Sequence, residues 1–140
     1  MSVYLDASVL VALFTNDAFT QRANDFLDAQ LPVIVVSDFA AAEFASAVAR
    51  MTRTHEITIE AARTILNDFD IWKSRVADQP HTVSADVAVA ASFIRRLDLT
   101  LRTADAINIA IAQRIGALLA TFDLKMAASA SALGTPIAAA

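Results

Sequence analysis

Short unbroken apolar runs alternate along this chain with longer stretches in which apolar residues recur every three or four positions. The first run, Ser2-Val3-Tyr4-Leu5, begins almost at the N-terminus and meets Asp6. Val33-Ile34-Val35-Val36 is the clearest of the runs, and Leu118-Leu119-Ala120-Thr121-Phe122 leads straight into Asp123. Continuous apolar strands of this kind are buried on both faces of a parallel sheet. His81-Thr82-Val83 is read as a short third strand and Gly134-Thr135-Pro136-Ile137 as an edge strand.

Between these runs the period becomes helical. Residues 7–14 continue from Asp6 without a break, and 18–30 place Phe19, Ala23, Phe26 and Leu27 on one face before Pro32. Ser37-Asp38 offers a cap for 39–51, striped by Phe44, Val48 and Met51, with Glu43 about one turn in. Thr58 caps 59–76, with Ala62, Ile65, Leu66, Phe69 and Trp72 inward. Ser84 caps 85–97, where Val87, Ala90, Ala91 and Ile94 make the core face. Residues 104–115 are apolar nearly all round, which predicts a central helix, and Gly116 fits its stop. A last alanine-rich helix reaches about Leu133. The alternation predicts a single α/β domain over residues 1–140 with a short, mostly parallel sheet.

Composition changes this picture in three ways. The hydrophobic fraction is 56% and the mean hydropathy +0.51, much of it alanine, so a partner or a second copy is expected to cover part of the surface. A formal charge of −4 excludes a uniformly basic nucleic-acid coat but not a local basic patch. The chain has no Cys, hence no disulfide, thiolate metal site or cysteine nucleophile, and only two Gly, too few for a phosphate-binding loop. No apolar run is long enough for a membrane span, and the N-terminus makes a poor signal peptide, so a cytoplasmic protein is expected.

Of the fifteen acidic residues most are ordinary, with Asp25, Asp28, Glu60, Asp68 and Asp70 on polar helix faces; four stand apart. Asp6 and Asp123 each follow an apolar strand, Glu43 lies early in a helix that follows another, and Asp105 is in the first turn of the most apolar helix. Strand C-termini and helix N-termini share one edge of a doubly wound sheet, so these carboxylates are expected to converge there. Two carboxylates about 4 Å apart repel by roughly 4 kcal/mol at an effective dielectric near 20, so the group calls for a compensating cation. An oxygen-only set suits Mg²⁺ or Mn²⁺ better than Zn²⁺, and such an ion can turn a bound water into a nucleophile for a phosphodiester. Either Asp6 or Asp105 alone would be read as a helix cap.

At this point the chain resembles the PIN-domain ribonucleases, specifically the VapC-like toxins of bacterial toxin–antitoxin pairs. The matching pieces are Val3-Tyr4-Leu5-Asp6-Ala7-Ser8, the stretch from Ser37 to Glu43, Leu101-Arg102-Thr103-Ala104-Asp105-Ala106 and Ala120-Thr121-Phe122-Asp123. The resemblance implies a three-layer α/β/α sandwich and a Mg²⁺- or Mn²⁺-dependent endoribonuclease with Asp6, Glu43, Asp105 and Asp123 as its acidic site. It also implies that Ser8 and Thr121 line that site, and that the protein dimerises and is held inactive by a cognate antitoxin. Asn108 departs from the pattern, standing where many relatives have His, and carries no assigned role.

Metal-assisted hydrolysis of RNA is thus the expected activity. Asp6, Glu43 and Asp105 are expected to hold the main cation, and Asp123 either to hold a second ion or to orient water. Arg102 is the cation nearest in sequence to a proposed ligand and the first candidate for RNA contact. Arg50, Arg53, Arg95, Arg96 and Lys125 are read chiefly as solvated surface, His55 and His81 as loop residues, and Asp86 as a dipole-complementing residue in the first turn of its helix. Two rival classes remain. One is a non-catalytic module whose acidic cluster docks a basic peptide. The other is an α/β phosphohydrolase, for which the second acid of an Asp-x-Asp pair is missing at Asp6-Ala7-Ser8.

Overall fold

The computed structural model describes residues 1–139. Four strands form one all-parallel sheet: β1 (Ser2–Leu5), β2 (Val33–Val35), β3 (Ala77–Asp78) and β4 (Leu118–Ala120), in the spatial order β3-β2-β1-β4. Val3, Tyr4 and Leu5 are fully buried, which explains the unbroken apolar run. The helices are α1 (Ala7–Phe14), α2 (Thr20–Gln30), α3 (Asp38–Arg53), α4 (Ile59–Val76), α5 (Ser84–Ile94), α6 (Thr103–Ile115) and α7 (Leu124–Ala132).

α1 packs with α2, α3 and α4, and α5 packs with α6; with the right-handed crossovers that parallel strands adopt, the strand order puts the first group on one face of the sheet and the second on the other, giving the expected α/β/α layers. Phe14, Phe44, Phe69 and Trp72 tie α1, α3 and α4 together, with edge-on ring contacts at 5.9, 5.4 and 5.2 Å around Phe14. The chain moves outward from β1 through β2 to β3, then crosses back to place β4 on the other side of β1. The crevice at this reversal, beyond the C-terminal ends of β1 and β4, is where a doubly wound sheet leaves room for a ligand.

Ser37 and Thr58 cap α3 and α4 as expected, accepting from the Ala40 and Ala61 N–H groups. Gly116 ends α6 in the left-handed conformation at φ 69°. Three expectations are corrected. The third strand is Ala77–Asp78, directly at the end of α4, and His81-Thr82-Val83 is not a strand. The Thr82 N–H and hydroxyl instead bond to Asp38 at 2.8 and 2.6 Å, stapling this loop to the start of α3. The inward line of α5 is Asp86 and Ala90, whereas Val87 is 52% exposed and Ala91 also faces outward. Arg114 of α6 draws the Asp86 carboxylate inward through two bonds of 2.8 and 3.0 Å, and this sets the rotation of α5. The expected C-terminal edge strand reduces to one parallel bridge between Ile137 and Leu119.

Candidate active site

Asp6 is the best-held group in the crevice. It ends β1 and caps α1, accepting the Val9 N–H at 3.1 Å and the Ser8 hydroxyl at 2.6 Å on Oδ1, and the Thr121 hydroxyl on Oδ2. Ser8 accepts the Phe122 N–H at 2.9 Å, and Thr121 accepts the Asp123 N–H at 3.0 Å, so these hydroxyls lock the end of β4 to the end of β1. Burial pushes the Asp6 carboxyl above its usual range, against the opposing pull of the Ser8, Thr121 and Val9 donors.

The other three acids arrive on separate elements. Asp123 caps α7 through the Lys125 and Met126 N–H groups. Asp105 reaches back from the first turn of α6 to the Arg102 N–H at 3.2 Å. Glu43, half-buried on α3, accepts the Asn108 side-chain N–H at 2.6 Å. Burial, then the charges of Asp6 and Asp105, push the Glu43 carboxyl upward, while the Asn108 amide and Arg102 pull the other way. Asp6, Ser8, Glu43, Arg102, Asp105, Asn108 and Asp123 line one cavity of about 150 Å³. The exposed Arg102 guanidinium lies 3.5 Å from Asp105 and 4.0 Å from Asp123, giving partial local neutralisation.

Asn108 carries more of this arrangement than its sequence context suggests. It is buried, and besides Glu43 its amide donates to the Ala104 carbonyl at 3.0 Å. Its oxygen accepts from the Tyr4 hydroxyl, which in turn takes a hydrogen bond from Ser37 at 2.6 Å. Burial leaves Tyr4 protonated far above neutral pH. A relay of neutral groups thus runs from the start of α3 through β1 and α6 to Glu43. The one sequence signal for it is that Asn108 stands three residues, about one helical turn, after Asp105.

The remaining candidates fall elsewhere. His81 is exposed, 3.6 Å from Asp38, and His55 is exposed in a loop. Asp86 does not line the cavity: it pairs with Arg114 and accepts the Val83 N–H at 2.9 Å. Arg96 pairs with Asp98, while Arg50 and Arg53 border a neighbouring groove.

Among the described residues no group of three or more acidic or histidine side chains is set as a ready-made metal cage. The donor set nonetheless fits a hard divalent cation. It is all oxygen, it concentrates negative charge, and the charges of Asp6 and Asp105 both bear on Glu43. Both Asp6 oxygens already accept hydrogen bonds, which suits an ion that keeps part of its water shell, as Mg²⁺ does.

An α/β fold with acids gathered at its strand-order reversal defines the class, and the sequence places the chain within it. The sequence model of the PIN domain matches residues 3–131, so the chain belongs to the PIN-domain family. Among solved structures it is similar to Mycobacterium tuberculosis VapC20, described as a sarcin-ricin loop cleaving toxin. That match has a TM-score of 0.73 at 22% identity over 91% of this chain and 94% of the other. It is also similar to VapBC2 from Rickettsia felis bound to a DNA fragment from its promoter, at TM-score 0.68 and 16% identity, covering 98% and 96%. VapBC-1 from nontypeable Haemophilus influenzae matches at TM-score 0.63 and 16% identity over 94% of each chain. A search of curated proteins gives no match. No helix among the described residues is long and apolar enough to cross a membrane.

Proposed function

We propose that this chain is a Mg²⁺- or Mn²⁺-dependent endoribonuclease and the toxin of a toxin–antitoxin pair. The observation that carries the reading is the meeting of Asp6, Glu43, Asp105 and Asp123, from four separate parts of the chain, on one small cavity. Asp6, Glu43 and Asp105 would hold the cation, with Asp123 holding a second ion or orienting water. Bound there, a divalent cation neutralises the phosphodiester and acidifies an attacking water. Ser8 and Thr121 fix the Asp6 carboxylate by donating to it, which keeps its lone pairs aimed and its charge tolerated. Arg102, 82% exposed at the rim, is free to turn from Asp105 and Asp123 toward a phosphate oxygen. Hydrolysis adds water across one P–O bond, with the leaving ribose oxygen taking up a proton.

The antitoxin partner is supported by the VapBC complexes among the similar structures. Self-association agrees with the large side chains left outward on α4 and α5, among them Ile59, Ile71, Val87 and Val89. The experiment is incubation of defined RNAs with the protein and its Asp6→Asn variant under Mg²⁺, Mn²⁺ or chelator. Cleavage by the parent with either ion, lost in chelator and in the variant, is the expected result. Full activity of a folded Asp6→Asn protein would refute the assignment.

A further inference from the structure

The four acids share a pattern of hydrogen bonding that bears on which ion they can hold. In each, donors of the protein are concentrated on one carboxylate oxygen. Asp6 accepts the Ser8 hydroxyl and the Val9 N–H on Oδ1, and only the Thr121 hydroxyl on Oδ2. Asp123 accepts the Lys125 and Met126 N–H groups, both on Oδ1. Asp105 accepts the Arg102 main-chain N–H and, at 3.5 Å, its Nε, both on Oδ2. A carboxylate oxygen has about two lone-pair sites, so each of these three aspartates keeps one oxygen to offer. Main-chain N–H groups at the starts of α1, α6 and α7 take part in all three, and side-chain exchanges leave those in place. Glu43 differs. It lies inside α3, has the longest side chain of the four, and among the described residues its one donor is the Asn108 amide, on Oε1. That amide is held in this sense: its nitrogen also donates to the Ala104 carbonyl, and its oxygen accepts from the fully buried Tyr4.

We infer that Asn108 determines which cation the site accepts: by holding Oε1 it restricts Glu43 to one ligating oxygen and so disfavours Ca²⁺ against Mg²⁺ and Mn²⁺. Ca²⁺ takes about six to eight oxygens and often draws two of them from a single carboxylate. Mg²⁺ takes about six in near-octahedral order and fills the remaining places with water. Four single oxygens around a cavity of about 150 Å³ meet the second demand and fall short of the first. Glu43 becomes a two-oxygen ligand only by giving up the Asn108 bond or sharing Oε1 with it. Removing that bond therefore adds an oxygen that the larger ion can use and the smaller one has no place for. The inference rests on the metal-dependent reading of the site and adds to it the residue that selects the ion.

The test is ion binding to the full chain in the absence of RNA, read from the electron paramagnetic resonance signal of free Mn²⁺, with Mg²⁺ and Ca²⁺ titrated as competitors. In the parent, Mg²⁺ is expected to displace Mn²⁺ at a concentration roughly threefold or more below that of Ca²⁺. Asn108→Leu, which keeps the shape and removes the N–H, should raise the affinity for Ca²⁺ relative to Mg²⁺ by roughly fivefold or more. Lost packing alone would weaken both ions together and leave their ratio where it was. Asn108→Ser, too short to reach Glu43 and able to bond the carbonyl four residues back, reads the same ratio should the leucine variant fail to fold. Ca²⁺ competing as well as Mg²⁺ in the parent, or an unchanged ratio or parallel loss of both ions in a folded variant, would overturn the inference and leave the metal-dependent nuclease standing. No Mn²⁺ binding by the parent would overturn both. The expected shift in a protein that cleaves no RNA would support the ion selection and sink the nuclease.

Discussion

Leucine at position 108 would keep nearly the shape of asparagine and lose all of its hydrogen bonds. Asn108 is 2% exposed, so its lost bonds are not replaced by water. The Tyr4 hydroxyl would keep only Ser37 as partner, at about 1 kcal/mol for a neutral bond. The bond to ionised Glu43 belongs to the charge-assisted class, about 1.5–3 kcal/mol, taken near the lower end because Glu43 is only half-buried. The bond to Ala104 adds least, since that carbonyl belongs to the same helix. Together these give a loss of about 2–4 kcal/mol, a fall in the urea midpoint of roughly 1–2 M. Packing alone would lower stability too, so the deciding readout is the Glu43 carboxyl, followed by carbon NMR in metal-free protein. The Asn108 N–H favours the ionised form, so Asn108→Leu should move the Glu43 midpoint further upward. The stability gap between parent and variant should accordingly be wider at about pH 8, with Glu43 charged, than at about pH 4. A destabilised variant whose Glu43 midpoint stays put or falls would refute the positioning role.

Two further outcomes follow from charges on and off the site. Asp86→Ala removes a buried carboxylate held by two bonds from Arg114, and about 2–4 kcal/mol of stability should go with it, read from urea unfolding at neutral pH. Burial works against the Asp86 charge, but the Arg114 and Val83 bonds outweigh it and hold its carboxyl below the usual range. Its contribution is therefore present above the unfolded carboxylate value, near 4, and fades as pH falls through the lowered folded value, while RNA cleavage per folded molecule stays at the parent level. Asp6 and Glu43 have the opposite sign. Their folded values are raised, so their stabilisation is complete below the unfolded values and is lost as pH rises through the raised ones. In chelator the melting temperature should rise as pH falls from neutral toward the unfolded carboxylate values, near 4, and saturating Mg²⁺ should flatten that rise; a flat profile in chelator would contradict it.

How far the chain can be read from its sequence depends on where each element's partners lie. β1 and β4 are legible because burial on both faces leaves an unbroken apolar run, and β2 because its run is apolar throughout although Val33 is exposed. β3 is only Ala77–Asp78, attached to the end of α4 with no turn signal before it, so the more β-like His81-Thr82-Val83 attracts the assignment. The apolar pattern of α5 points to Val87 and Ala91, yet its rotation is set by a charge pair with a residue 28 positions away. Asp6 and Asp123 stand out at strand ends, and Asp105 at the start of the most apolar helix. Asn108 does not, because its partners Glu43 and Tyr4 are 65 and 104 positions distant and no local pattern records them.

The manner in which each acid is held argues that their proximity is maintained and not a by-product of folding. A surface cluster of like charges relieves itself by rotating side chains into water. Here each carboxylate is fastened by its own donor: Asp6 by Ser8, Thr121 and Val9, Asp123 by the start of α7, Asp105 by the Arg102 N–H, and Glu43 by Asn108. Those donors sit on different elements, so relaxing one carboxylate breaks a cap or a relay without easing the others. Arg102 supplies one mobile positive charge at the rim against four acids, which leaves the cavity with an excess of negative charge. Fastening repelling groups this way carries a cost, and the proposed cation, once bound, would recover it.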